Sequence, residues 1–294
     1  MTWYTLAPAL LLVVPALALA RLPLPIHPAW SARLLAVLAV SAALTAVSTA
    51  GLLGGAFLAG VLPPDTVSGP ERGRLLLEHG PVPAPVGVLA LALLAVGAVG
   101  TALLALRWWR GMREVRRHGD GAGVVADDRP MAMAVPGRRG GVMLSRGLLR
   151  MLGRDQLSVV LRHEHAHLRH RHHVYAAAGA LAAALFPPLA PVHRRLRFDL
   201  ERWADEEAAA AVGDRGLVAR TIAQVSLAAP GPGPSWHPGL ADYQVVRRVE
   251  ALLDEPPSAN PVAGPALLGG TGVASGGVAS TCVELHHLAF LLLL

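Results

Sequence analysis

Three long stretches without a charged residue constrain this chain more than any other feature. They cover residues 2–20, 34–62 and 86–106 of the 294-residue sequence. A helix of roughly 20 apolar residues is long enough to cross the hydrocarbon core of a bilayer. The composition agrees, since 53% of the residues are hydrophobic and only 16% are charged. We therefore expect three transmembrane helices within a membrane region at residues 1–106.

The first stretch has an alternative interpretation as a signal peptide. Ala18-Leu19-Ala20 resembles a cleavage site. However, no positively charged residue precedes the apolar run, and the second stretch follows soon after it. These features favour a helix that is retained in the mature protein.

The distribution of arginine predicts the orientation of the chain. Five arginines follow the third stretch closely: Arg107, Arg110, Arg113, Arg116 and Arg117. The loop between the second and third stretches has only two arginines, which three acidic residues offset. Because positively charged flanks stay in the cytoplasm, we expect a multi-pass protein of the cell membrane whose residues 107–260 face the cytoplasm.

The net charge of +6 does not by itself indicate a nucleic-acid partner. The sequence has no recognisable nucleic-acid-binding motif, and only 4% of its residues are aromatic and available for base stacking. Most arginines flank apolar stretches, where anionic lipid headgroups are the expected partners. The single cysteine, Cys282, excludes an internal disulfide. We therefore expect the lipid bilayer as a partner and no nucleic acid.

The sequence His163-Glu164-His165-Ala166-His167 has the pattern H-E-x-x-H. On an α-helix, residues four apart lie on one face, so that His163 and His167 could bind the same metal ion. Glu164 lies beside them, where its carboxylate could take a proton from a metal-activated water. Further histidines crowd the same stretch: His165, His170, His172 and His173. A nonspecific His-rich metal-binding tract is therefore the alternative.

A second motif downstream supplies carboxylates. Glu201 and Asp205 are one turn apart in a segment that we predict to be helical. A catalytic zinc with two histidine ligands needs a third protein ligand, and Glu201 is the candidate. Asp205 could accept the far N–H of a ligating histidine and fix its tautomer. The alternative is an ordinary solvated acidic face.

These two motifs together resemble a known family. The run LSVVLRHEHAHLRHRHH, an apolar segment, and RRLRFDLERWADEEAAAAVGD are similar to the BlaR/MecR family of membrane zinc metallopeptidases, which are gluzincins. The resemblance to Ste24/HtpX-type membrane proteases is less close. The resemblance covers about residues 125–215, and the upstream run MAMAVPGRRGGVMLSRGLLRMLGRDQL also fits it. No sensor domain like that of the beta-lactam sensors is evident.

The resemblance implies a zinc-dependent metalloendopeptidase with one Zn²⁺ per chain. It implies that His163, His167 and Glu201 are the metal ligands, with Glu164 catalytic and Asp205 supporting a ligand. It also suggests a protein or peptide substrate, such as a cytoplasmic transcriptional repressor that is cleaved on signal.

The segment before the H-E-x-x-H pattern predicts a small sheet. Residues 131–135 and 142–145 have strand patterns and flank a turn-rich loop. The edge of such a sheet could bind an extended substrate, although a purely structural hairpin is an equal alternative. Asp155 is the expected N-cap of the metal-binding helix.

Residues 174–192 test the proposed site. They are uncharged and long enough to cross a bilayer once. A single crossing would place His167 and Glu201 on opposite faces of the membrane. The alanine-rich composition gives a weak hydrophobic drive, and three prolines near the end disfavour a regular helix. We therefore expect a helix that packs on the protein, with the membrane surface as a further contact.

The remaining sequence is less informative. Residues 217–228 and 243–253 have helical patterns. His193, His237 and Tyr243 are candidate donors to the oxyanion of a tetrahedral intermediate, and nothing in the sequence selects one of them. Residues 261–294 form a tail with a possible fourth transmembrane helix.

The sequence thus predicts a mainly α protein. It combines polytopic membrane helices with a cytoplasmic α+β, zincin-like metallopeptidase domain at residues 107–260. The alternative is a His-rich membrane protein that binds or transports metal without hydrolytic activity. A degenerate peptidase that acts as a scaffold is a third hypothesis, against which the intact Glu164 argues.

Overall fold

A computed structural model describes residues 6–22, 25–61, 82–117, 123–137, 140–228, 242–257 and 264–271. This part of the chain is mainly helical. The helices are α1 (Ala7–Arg21), α2 (Pro28–Val61), α3 (Ala84–Arg117), α4 (Arg146–Met151), α5 (Arg154–Arg169), α6 (His172–Leu185), α7 (Ala190–Val212), α8 (Arg215–Ala228) and α9 (Asp242–Leu253). Residues 264–271 are also helical, and the rest of the predicted tail lies outside the described residues.

Two of the described helices, α2 and α3, are long and apolar enough to cross a membrane. Each has 34 residues, which is about 50 Å of α-helix. Helix α1 has only 15 residues, so it is shorter than the span predicted at residues 2–20. The predicted count of three spans is therefore not confirmed.

The two long helices differ in their surroundings. The most apolar window of α2 is 61% buried inside the protein, whereas that of α3 is 11% buried. Helix α2 packs against α1, α6 and α7. Their shared core includes Leu35, Leu189, Val192 and Leu196, none of which is exposed. Helix α2 is thus part of the support of the downstream helices, while most of α3 presents apolar side chains outward.

A three-stranded sheet precedes the helix that carries the H-E-x-x-H pattern. Its strands are β1 (Gly123–Val125), β2 (Ala132–Val135) and β3 (Gly141–Ser145), in the order β1-β3-β2. The predicted hairpin is confirmed, since β2 pairs antiparallel with β3. Strand β1, which pairs parallel with β3, was not predicted. Three residues are too few to show the alternation on which a strand prediction depends.

The N-cap of helix α5 lies two residues earlier than the sequence suggests. Its N-cap is Gly153, whose N–H donates to Oε1 of Gln156 at 3.2 Å. Asp155 lies in the first turn, so its prediction as the N-cap is wrong. There its negative charge interacts favourably with the positive end of the helix dipole. Val159 and Val160 are buried on α5, and β2 and β3 pack against the same helix.

Residues 174–192 belong to a helical hairpin. Helix α6, a 3-10 turn at Pro187–Leu189 and the first half of α7 form its arms and apex. The first arm has 14 residues and is about 21 Å long, which is shorter than a bilayer core. Because the chain turns back, His167 and Glu201 lie at the same end of the hairpin. The expectation that this segment is not a single span is confirmed.

Two glycines of α3 let the apex of this hairpin approach closely. A Cβ atom at Gly97 would lie 2.4 Å from the carbonyl oxygen of Leu185, and one at Gly100 would lie 2.7 Å from that of Ala184. Small residues allow helix backbones to come into contact in this way. The apex therefore packs beside the uncharged part of α3.

Helices α8 and α9 pack against the two helices that carry the H-E-x-x-H pattern and the second motif. Helix α7 ends at Gly213, whose φ of 78° is the left-handed conformation that glycine adopts readily. The chain then returns so that α8 and α9 pack on α5 and α7 around Val159, Val218 and Val245. This packing brings α9 beside the second motif.

Candidate metal centre

His163 and His167 of α5 and Glu201 of α7 lie together. The Nε2 atoms of the two histidines are 3.1 Å apart. Oε2 of Glu201 is 3.5 Å from Nε2 of His163, and Oε1 is 3.7 Å from Nε2 of His167. The structure therefore brings the three predicted ligands into one cluster, although they come from two helices separated by the hairpin.

The cluster fits a tetrahedral metal. Ligands at about 2.05 Å from a zinc ion stand about 3.3 Å apart at the corners of a tetrahedron. The two Nε2 atoms are 3.1 Å apart, and the distances from Glu201, measured to its two different carboxylate oxygens, are 3.5 and 3.7 Å, which are close to that value. The side chains are 14%, 18% and 25% exposed, which leaves one side open to water. Two imidazoles, one carboxylate and an accessible fourth position could hold a catalytic metal ion.

A buried ion pair supports His163. Nδ1 of His163 lies 3.0 Å from Oδ1 of Asp205, which is 1% exposed. Arg248 of α9 donates to both carboxylate oxygens of Asp205 at 2.7 Å. Its third nitrogen lies 3.0 Å from Oε2 of Glu201. One guanidinium thus holds both the third ligand and the carboxylate behind the first ligand.

These charges shift the pKa values of the cluster. Burial lowers the pKa of His163, but Asp205 and Glu201 outweigh it and raise that pKa to about 10. Burial raises the pKa of Glu201 and of Asp205, yet Arg248 and His163 hold both below their usual range. Without metal, the site therefore holds a protonated imidazole between two carboxylates.

A different partner supports His167. Nδ1 of His172, the first residue of α6, lies 2.9 Å from Nδ1 of His167. His172 is 2% exposed, and burial, with a smaller effect of His167, lowers its pKa to about 2. The neutral ring can accept a hydrogen bond from Nδ1–H of His167, so that Nε2 of His167 is the ring nitrogen that could bind a metal.

Residues 110–192 match the model of peptidase family M48. The match covers less than half of the chain and includes all of α5 and α6. It supports a metallopeptidase, a class of hydrolase that generally depends on a metal ion. No curated protein and no solved structure matches the chain. The BlaR/MecR subtype is not confirmed, and Glu201, Asp205 and Arg248 lie outside the matched segment.

Glu164 is the predicted general base. Glu164 follows His163 on α5 and is 8% exposed. Its charge is one of the smaller causes that raise the pKa of Arg248. Its catalytic role stays a prediction.

The other histidines of the stretch point to separate partners. His165 contacts the carbonyl oxygen of Leu161 through Nδ1 at 3.0 Å. His170 contacts Oε2 of Glu207 at 2.6 Å, and His173 is exposed. Among the described residues, only His163 and His167 from this stretch join a cluster that could hold a metal. This arrangement disfavours a nonspecific metal-binding tract.

The structure does not select one of the three candidate oxyanion donors. His237 and the side chain of Tyr243 lie outside the described residues. His193 is eight residues before Glu201 on α7, and its Nδ1 lies close to Gly179 of α6. The hairpin interior therefore holds His193, and its predicted role gains no support.

Sequence reasoning missed two residues of this centre. The sequence places Arg248 within the helical pattern of residues 243–253. Nothing in the neighbouring residues distinguishes a buried arginine from a solvated one. In the sequence, His172 is one of four further histidines in or beside the H-E-x-x-H pattern. Its spacing of five residues from His167 crosses a helix break at Arg171, whose φ is 53°. A pattern based on continuous helix could not place it.

Proposed function

We propose that this chain is an integral membrane zinc metalloendopeptidase that hydrolyses peptide bonds in a cytoplasmic protein. His163, His167 and Glu201 bind one Zn²⁺ per chain, and Glu164 is the catalytic base. The observation that carries the proposal is the convergence of three side chains: the two Nε2 atoms lie 3.1 Å apart, and one carboxylate oxygen of Glu201 lies 3.5 Å from that of His163 while the other lies 3.7 Å from that of His167. The match to peptidase family M48 supports the same class of reaction.

Each residue has a distinct task in this proposal. Bound zinc supplies a Lewis acid that lowers the pKa of water and polarises the scissile carbonyl. Glu164 takes a proton from the attacking water and passes it to the leaving amine. Asp205 accepts Nδ1–H of His163 and keeps that ring in the ligating tautomer. Arg248 keeps Asp205 and Glu201 ionised, which a metal ligand and its support require.

The substrate is proposed to bind as an extended strand. In the order β1-β3-β2, strand β2 lies at an edge, and it packs against α5. An extended peptide that pairs with this edge would run past the helix that carries Glu164. Main-chain pairing would then align a peptide bond without selecting many side chains. A cytoplasmic transcriptional repressor is one protein that such a site could cleave.

Membrane insertion completes the proposal. The uncharged part of α3 exposes large apolar side chains, which are favourable in lipid and costly in water. Five of them are at least half exposed: Val88, Leu89, Val96, Val99 and Leu103. Arg107 and Arg110 follow, as expected where a helix leaves the bilayer into the cytoplasm. The hairpin keeps all three ligands on this side.

The test compares three variants of the full chain purified in detergent. Glu164→Gln should abolish cleavage of a labelled unfolded protein while zinc content stays near one per chain. Glu201→Ala should lose both cleavage and zinc. His173→Ala, a matched change of an exposed histidine in the same stretch, should retain both.

Two outcomes would contradict the proposal. Unchanged cleavage in Glu164→Gln would remove the assigned base. Several zinc ions per chain that are lost on substitution of His170 and His173, without any cleavage, would favour the His-rich metal-binding hypothesis.

A further inference from the structure

A stack of side chains joins the ligand His167 to the long apolar helix α2. His172 contacts His167 as described above, and the ring of His172 lies 4.6 Å from that of Trp203 on α7. The guanidinium of Arg33, on α2, lies 4.5 Å from the same indole ring. Three contacts therefore separate the metal ligand from a helix that contributes no ligand.

The ring of His172 depends on packing for its orientation. Its Nδ1 faces His167, but its buried Nε2 has no hydrogen-bond partner among the described residues. The rings of His170 and Trp203 lie on it at 5.9 and 4.6 Å. Because only one nitrogen of His172 has a polar contact among the described residues, the aromatic neighbours are the main constraint on the orientation of its ring.

Trp203 is in turn held by a cation. It is 4% exposed, and Arg33 is its charged contact across the α2–α7 interface. The guanidinium also lies 4.7 Å from the ring of Trp30, on its own helix. A cation between two indoles attracts both ring faces and is most effective where water is excluded. The position of Trp203 therefore depends on where α2 presents Arg33.

A second contact fixes the same interface. The hydroxyl of Ser31, two residues before Arg33, donates to the buried carboxylate of Asp199 on α7. Nε of Arg195 donates to both oxygens of Asp199, at 3.0 and 3.1 Å. The start of α2 and the middle of α7 are thus joined at two points one turn apart, which holds Arg33 in register with Trp203.

We propose that Arg33 is a positioning residue for the metal centre. It acts through Trp203 and His172 to hold Nδ1 of His172 against His167. This inference rests on the proposed function, because it concerns the same metal site, and it extends that function to a residue of the apolar region. Displacement of α2 would loosen a ligand without touching the cluster.

The test measures metal binding, with no need for a substrate. Zinc affinity is measured by competition with a chromophoric chelator, and ligand geometry by the visible absorption of Co²⁺ in place of zinc. Arg33→Gln should weaken zinc binding about three- to tenfold and change the Co²⁺ spectrum. Arg33→Lys keeps a cation over the ring and should restore at least half of the lost affinity on a logarithmic scale.

Helix α3 offers a matched control. Arg113 lies 4.3 Å from the ring of Trp109 in the same kind of contact, with both residues on one helix. Arg113→Gln removes a cation–π pair from a long apolar helix and should leave affinity and spectrum unchanged. Should Arg33→Gln fail to fold, Trp203→Phe replaces the indole by a smaller ring and should weaken zinc binding in the same range.

The outcomes separate this inference from the proposed function. If the wild-type chain binds no zinc, the proposed function fails. If the wild type binds zinc and Arg33→Gln and Trp203→Phe match Arg113→Gln in affinity and spectrum, the role of Arg33 is overturned and the metal site stands.

Discussion

The two histidines proposed as metal ligands are four residues apart on one helix, yet the protein supports them in different ways. Behind His163 lies a carboxylate, Asp205, which a buried arginine clamps. Behind His167 lies a neutral imidazole, His172, which aromatic packing holds. The support of His163 is therefore electrostatic, and the support of His167 depends largely on side-chain packing.

The difference predicts how each ligand responds to change. A carboxylate behind His163 makes the ring more basic, which strengthens a metal bond but also retains a competing proton. A neutral imidazole behind His167 adds no charge to that side of the cluster. The His163 side should therefore be sensitive to charge and pH, and the His167 side to the packing of α6 and α7.

The largest expected effect comes from removing the charged support. Asp205→Ala leaves Arg248, which is 2% exposed, without its bidentate partner. Removing one partner of a buried ion pair costs about 3–5 kcal/mol in the free energy of unfolding, and the remaining contact of Arg248 with Glu201 places the expected loss near the lower end of that range. Chemical denaturation in detergent should show this loss, together with weaker zinc binding.

An exposed pair of the same chemistry is the control for that variant. Arg150 and Asp128 also form an ion pair, but their side chains are 66% and 88% exposed. Asp128→Ala should leave the free energy of unfolding unchanged within error, because solvent screens such pairs. Equal losses in the two variants would show that burial of Arg248 does not matter.

Removing His172, the neutral support of His167, should have a smaller effect, which is limited to zinc affinity. His172→Ala removes the acceptor for Nδ1–H of His167 and should weaken zinc binding about 10- to 100-fold. His173→Ala, at the next position on α6, should bind zinc as the wild type does. Chelator competition measures both. Equal affinities in the two variants would mean that His167 needs no partner.

The smallest change, taken per pH unit, is the pH dependence that we expect on the His163 side. Because the pKa of His163 is about 10 in the metal-free protein, zinc must displace its proton at neutral pH. Zinc affinity should therefore rise by up to about tenfold per pH unit from neutral pH and level off near pH 10. Chelator competition at several pH values measures the slope.

Asp205→Asn sharpens that measurement. It removes a carboxylate that raises the pKa of His163, so the rise of affinity should stop at a lower pH. The same raised pKa stabilises the metal-free fold fully below 6.5, its ordinary value, and this contribution is lost as pH rises towards 10. A zinc affinity that is flat from pH 7 to pH 9 in the wild type would refute the proton competition.

Local periodicity explains what could be predicted about the site. His163 and His167 share a face because four residues make about one turn of α-helix, and Glu201 and Asp205 share a face for the same reason. The β2–β3 hairpin followed from alternation around a turn. The first span is not confirmed as a prediction, because composition sets how apolar a segment is and not how long its helix is.

The amino-acid sequence alone therefore determined the ligand types, their pairwise spacing and the apolar character of the long helices. These properties depend on side-chain chemistry and on contacts within one turn. The tertiary structure alone decided that a short hairpin returns Glu201 to the histidines, and that Arg248, His172 and Arg33 stand behind them. Such contacts join distant segments, and they form only when the packing of several helices overcomes the entropy of closing the loops between them.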